Sequence, residues 1–212
     1  MPESAPFDQS RYQVRLEWGV AGLARLAPAE TVVVVDVLRF STTVTGRLEE
    51  AESVAFDDAL RTASLNGAAV ADAAAAAGAT VLLGSLVNAT AVAHAVMAEQ
   101  HRRAARTSIA VVAAGELAAA AGPLRVAVED QLGAGAVVDA LGSLGIDHTS
   151  PEAAVAGEGF RALRTATRHL LTASGSGQEL VERGLRDDVL AATSVDSSAV
   201  VPVLRGGLFV AF

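Results

Sequence analysis

Thr31 to Val37 reads TVVVVDV, and no other stretch constrains the chain as strongly. Consecutive β-branched residues are stiff at χ1 and pack well on a pleated surface. A run without alternation suits a strand buried on both faces, as in a parallel sheet. The residues that follow, from Ser41 to Glu50, read as a helix with Ser41 or Thr42 available as its cap.

The same alternation continues along the chain. Strands are expected at Arg11–Trp18, Ser53–Phe56, Thr80–Gly84, Thr107–Ala113 and Leu124–Val128. Helices are expected at Val20–Leu26, Asn66–Ala77, Leu86–Ala105, Gln131–Leu144 and Pro151–Leu171, with short turns at Gln178–Arg183 and Asp187–Ala192. Two apolar runs around Arg205-Gly206-Gly207 read as a closing hairpin. Strands alternating with helices indicate one α/β domain over residues 11–212, its sheet mostly parallel or mixed, with helices on both faces. Residues 1–10 are expected to be a flexible arm.

Composition narrows the chemistry. The 16 basic residues are all arginine, so lysine Schiff bases and the lysine-dependent phosphate loop are excluded. With no cysteine, thiolate nucleophiles, disulfides and iron–sulfur or zinc–thiolate sites are excluded too. A net charge of −8 and a pI near 5.0 argue against nucleic acid and anionic membranes as partners. Charged residues within the first twenty positions are incompatible with a signal-peptide core, and no apolar run would span a bilayer, so a cytoplasmic location is expected. His94, His101, His148 and His169 show no metal-ligand spacing.

Three strand ends carry candidate chemistry. Asp36-Val-Leu-Arg39-Phe-Ser41-Thr42-Thr43 sets a carboxylate at the end of a buried strand, then an arginine and three hydroxyls at a helix start. Ligands of open α/β sheets bind outside the carboxyl ends of the strands, and helix N-termini favour oxyanions. Arg39 suits bidentate oxyanion binding, and Asp36 could hold Mg²⁺ beside it. Gly84-Ser85-Leu-Val-Asn88 repeats the strand-to-helix pattern; taken alone, a plain helix cap explains it better. Glu129-Asp130 stands at a third strand end, where an ordinary cap and part of a magnesium site are about equally supported. Asn66-Gly67 is first a turn signal and second a site candidate.

Together these segments resemble the 2-phosphosulfolactate phosphatase family. The resemblance runs through VVVVDVLRFSTTV, LLGSLVNATAVA, VAVEDQLGAGAVVDAL and SGSGQELVERGLRDDVLAATSVDSSAVVPVL, in the family's order, from about residue 30 to 204. The chain lacks the family's GERGG-like and GFDLGNSP-like segments, and its TTNGT-like stretch survives as Ser64-Leu65-Asn66-Gly67-Ala68. The resemblance implies a three-layer α/β/α fold and a hydrolase of coenzyme M biosynthesis. Its cofactor would be Mg²⁺ and its partner a small anionic phosphoester such as 2-phosphosulfolactate. On that reading Asp36, Glu129 and Asp130 hold the metal, with Asp36, Arg39 and Glu129 catalytic. Arg39, Ser41, Thr42, Thr43, Asn66, Ser85 and Asn88 bind substrate. The alternatives are a homologue that binds such a metabolite without turning it over, and a structural or regulatory subunit. A homodimer is the default assembly for a small α/β enzyme.

Overall fold

The computed structural model describes residues 6–117 and 122–212, the side chains of Ala63 and Leu65 excepted. In chain order its elements are β1 (Val14–Trp18), α1 (Gly19–Arg25), β2 (Thr31–Val35), α2 (Phe40–Glu50), β3 (Ser53–Ala55), α3 (Asp58–Ala63) and α4 (Leu65–Ala76). Then come β4 (Thr80–Gly84), α5 (Ala89–Arg103), β5 (Ile109–Ala113), β6 (Glu116–Leu117), β7 (Leu124–Arg125), α6 (Val128–Ser143) and α7 (Pro151–Leu163). The chain closes with α8 (Thr167–Ala173), α9 (Gly175–Glu182), α10 (Arg186–Ala192), β8 (Pro202–Arg205) and β9 (Leu208–Ala211).

The large sheet has the order β1-β5-β2-β4-β8-β9-β3. Its first four strands are mutually parallel, and the last three join through successive antiparallel pairings, β4–β8, β8–β9 and β9–β3. The mixed character comes from the C-terminal hairpin, which docks β8 on β4 and carries β3 on its far side. β6 and β7 form a separate two-stranded ribbon.

The period of two along β2 explains why its sequence is apolar throughout. Val33 and Val35 join a core with Leu82, Val111, Val92, Val137 and Phe160, on the side of α5, α6 and α7. Val32 and Val34 join a second core with Phe40, Val44, Val70, Leu83 and Phe209, on the side of α2 and α4. This is a three-layer α/β/α arrangement. Burying each valine contributes about 1.5–3 kcal/mol before entropy is counted.

The buried Gln9 side chain exchanges two hydrogen bonds with the backbone of Leu16, and Asp8 O accepts from Ala27 N. Residues 1–5 lie outside the described residues. The expected strand Leu124–Val128 stops at Arg125, because α6 begins at Val128 with Glu129 and Asp130 in its first turn, where the helix dipole favours acids. The long helix expected over Pro151–Leu171 is broken by a 3₁₀ turn at Arg164–Ala166.

Candidate functional site

Register gathers the site. Val35 of β2 stands opposite Gly84 of β4 and Ala113 of β5, and Ala113 stands opposite Trp18 of β1. Four parallel strands therefore end level, and the residues just beyond them share one edge. The register places Asp36, Ser85 and Gly115 along that edge.

Asp36 is buried at the end of β2. Its Oδ1 accepts from Phe40 N at 3.1 Å, and its Oδ2 accepts from the Ser64 hydroxyl at 3.1 Å. Asp36 thus caps α2, which begins at Phe40; the expectation that Ser41 or Thr42 would do so is corrected. Gly67, in the first turn of α4, presses on the same carboxylate: a Cβ there would lie 2.5 Å from Asp36 Oδ2. Burial pushes the Asp36 carboxyl up to about 6; the Phe40 and Ser64 hydrogen bonds pull it down, and the charge of Glu116 adds to the rise.

Asp130 reaches the same edge from α6. Its Oδ1 accepts from Val37 N at 2.7 Å and its Oδ2 from Gly115 N at 2.9 Å, which ties the ends of β2 and β5 together. Burial raises its carboxyl well above the ordinary carboxylate value, and the charges of Asp36 and Glu129 raise it further against the two N–H groups. Glu129 is buried beside it. Gly133, one turn on, lets α6 come close, since a Cβ there would lie 2.5 Å from Val37 Cγ2.

The other expected site residues divide into two groups. Arg39, half-buried, faces outward and pairs with Asp188 of α10 at 2.8 Å. Thr43 is half-buried, and its hydroxyl has no partner among the described residues. Asn66 donates to Gly115 O at 3.0 Å and to Glu116 Oε1 at 3.2 Å, linking α4 to the end of β5. The remaining side chains turn toward protein groups. The Ser41 hydroxyl donates to Val34 O and accepts from Asp36 N. Thr42 donates to Val37 O at 2.9 Å. The fully buried Asn88 accepts from Ser85 N and donates to Leu83 O and Val200 O. Ser85 Oγ is fully buried and lacks a hydrogen-bond partner.

The donor set bears on Mg²⁺. Among the described residues no three acidic or histidine side chains converge as a metal cage. Asp130 in particular spends one oxygen on each of two backbone N–H groups. Asp36 is engaged to a similar degree, by Phe40 N, the Ser64 hydroxyl and the backbone of Gly67, and among the described residues no arginine pairs with it. Mg²⁺ commonly takes one or two carboxylates and completes its shell with water and phosphate oxygens. Asp36, with the charge of Glu116 acting on it and no arginine partner among the described residues, is compatible with that mode. The three-carboxylate cage does not match the geometry.

Glu116 is not among the residues the sequence singles out, and Ser64 and Gly67 enter there only as parts of the Ser64–Ala68 stretch and the Asn66-Gly67 turn. Glu116 was open to the argument that found Asp36, because it stands just beyond the buried strand β5. The role of Gly67 rests on a close approach that no local pattern encodes.

The family model for 2-phosphosulpholactate phosphatase matches residues 51–207. The match takes in Asn66, Ser85, Asn88, Glu129 and Asp130 and begins after Asp36 and Arg39. No curated protein matches the chain. Among the described residues no helix is long and apolar enough to cross a membrane.

Proposed function

From the chain's membership of the 2-phosphosulpholactate phosphatase family, we propose that it is a cytoplasmic Mg²⁺-dependent phosphatase that hydrolyses a small anionic phosphoester such as 2-phosphosulfolactate. The observation that carries this reading is that Asp36, a buried carboxylate with no arginine partner among the described residues, stands three residues before Arg39, whose partner is the exposed Asp188. One group suits a divalent cation and the other a phosphate, on the edge where α/β enzymes place their ligands.

Asp36, with Glu116 beside it, would hold the Mg²⁺. The bound ion would supply Lewis-acid polarisation of the phosphoryl group and a more acidic water. Arg39 exchanges its exposed partner Asp188 for two phosphoryl oxygens, a bidentate contact that strengthens as charge moves onto them. The Thr43 hydroxyl donates a further hydrogen bond at the same helix start. Asp130 positions this machinery without touching substrate, by fixing the backbone at Val37, next to Asp36, and at Gly115, next to Glu116. Asn66 and Ser64 hold Glu116 and Asp36 in turn.

The test is phosphate release from 2-phosphosulfolactate and related 2-phospho acids, with Mg²⁺ and with EDTA, in the parent protein and in Asp36→Asn. Turnover that needs the metal and falls at least a hundredfold in Asp36→Asn is expected. Absence of turnover, with ligand-dependent thermal stabilisation that requires Arg39, would instead establish a metabolite-binding protein.

A further inference from the structure

A cavity of about 170 Å³ opens between the first turn of α5, the second half of α6 and the end of α7. The buried side chains of Ala89, Ala136 and Phe160 give part of its lining an apolar character. Asp139, Asp196 and Arg164 bring charge of both signs to the same space, with Thr90 and Ser143 beside them. The hollow next to β1, by contrast, is lined by Glu17 and Glu152 and by no arginine.

The charged groups around the cavity are incompletely used. Arg161 reaches Asp139 twice, at 3.1 Å and 2.6 Å, and both contacts go to Oδ1. Asp139 Oδ2 accepts no hydrogen bond among the described residues. Arg164 makes no ion pair and donates no side-chain hydrogen bond among the described residues, although two carboxylates line the cavity with it. A guanidinium is a planar fork for a carboxylate, and a free carboxylate oxygen accepts from an ammonium group.

Asp196 is fixed in place. Its N–H donates to Leu86 O at 3.0 Å, Oδ1 accepts from Thr90 N and Oδ2 from the Thr90 hydroxyl, each at 2.8 Å. The Thr90 and Ser143 hydroxyls both spend their protons on protein oxygens, so each offers the cavity only an acceptor. An anion alone would bind Arg164 and face Asp139 and Asp196 at a cost; a cation alone would face Arg164 at a cost. A molecule with both charges meets neither penalty. The volume is that of about six waters, which suits a ligand of about six non-hydrogen atoms.

We propose that this cavity binds a small zwitterion of the α-amino acid class, its carboxylate on Arg164, its ammonium on Asp139 Oδ2 and its short aliphatic side chain against Ala136 and Phe160. None of these residues belongs to the Asp36–Arg39 edge, so the site stands apart from the phosphatase reading.

L-Alanine is the probe, titrated into the ¹⁵N-labelled full chain and followed at the amides of Thr90, Ser143 and Arg164. Sodium propionate and ethylammonium chloride, which carry one charge each, are titrated against sodium chloride of equal ionic strength. The three amides are expected to move saturably with L-alanine, and propionate and ethylammonium to bind at least about tenfold more weakly. Arg164→Gln should weaken L-alanine about tenfold or more and Asp139→Asn several-fold. Arg168→Gln, on the next turn and outside the cavity, should leave binding unchanged. The rest of each spectrum reports whether the variant is folded. Amides that do not move saturably overturn the site, as does propionate or ethylammonium binding as tightly as L-alanine. An effect of Arg164→Gln no larger than that of Arg168→Gln overturns it too.

Discussion

Gly67 and Asp36 touch in a way that admits no side chain between them: a Cβ on Gly67 would lie 2.5 Å from Asp36 Oδ2 and 2.9 Å from Asp36 Cβ. The first turn of α4 is therefore a wall of the Asp36 pocket. Gly67→Ala should force the carboxylate or the helix to move, costing about 1–3 kcal/mol in a urea unfolding titration. Phosphate release should fall by a larger factor than stability predicts, because the displaced group is the one proposed to hold the metal. Unchanged turnover in a folded Gly67→Ala would show that the position of Asp36 is immaterial.

Asp130 supplies the clearest separation of positioning from catalysis. It accepts from Val37 N and Gly115 N, one oxygen each. An asparagine retains one acceptor and turns an NH₂ group toward the other N–H. Asp130→Asn should cost about 1–3 kcal/mol from that one buried unsatisfied donor, measured by urea unfolding. Its dependence on Mg²⁺ concentration should shift far less than that of Asp36→Asn. A loss of metal response equal to that of Asp36→Asn would make Asp130 a ligand instead.

The pH dependence follows from the direction of two shifts. Asp36 is raised to about 6 and Asp130 is raised as well, so the folded state holds these protons more tightly than the unfolded chain. Their contribution to stability is present in full below the unfolded carboxyl value and is lost as pH rises through about 6 for Asp36. Asp8, Glu30 and Glu99 are lowered and act in the opposite sense, so the difference between parent and Asp36→Asn isolates the effect. The parent should lose stability relative to Asp36→Asn between about pH 4 and 7, and Mg²⁺ should restore part of it. Parallel curves for the two proteins would remove Asp36 as the titrating group.

Arg39 and Asp188 are both substantially exposed, so their ion pair contributes at most about 1 kcal/mol. Arg39→Ala should leave the unfolding midpoint nearly unchanged and weaken phosphate binding about tenfold or more by calorimetry. Asp188→Asn should do the opposite to binding, because it releases Arg39 from its competitor.

How much of this was legible depends on how far apart the cooperating residues lie. The strand TVVVVDV, the helices around it and the candidacy of Asp36 and Arg39 follow from contiguous residues and the rule that ligands sit at strand ends. The work of Asp130 is to join Val37 and Gly115, which lie 93 and 15 residues before it, and no local pattern could distinguish it from a helix cap. Asn88 looked like a substrate-facing residue of a helix start because its burial against Val200 O depends on the C-terminal segment. The far edge of the sheet was hidden for the same reason. β3 is only three residues long, and it pairs with a hairpin at the other end of the chain. Helix boundaries missed by a few residues at α6, where acids in the first turn were read as preceding the helix.

The strand order β4-β8-β9-β3 has a consequence for the growing chain. On the ribosome the four parallel strands are complete long before β8 and β9 emerge. Until then β4 shows an open edge of unpaired N–H and C=O groups, and β3 has no neighbour to pair with. An exposed parallel edge is a template for a second chain. The final hairpin therefore acts as a closing strip, and the interval before it docks is when the chain is most exposed to association with its own kind.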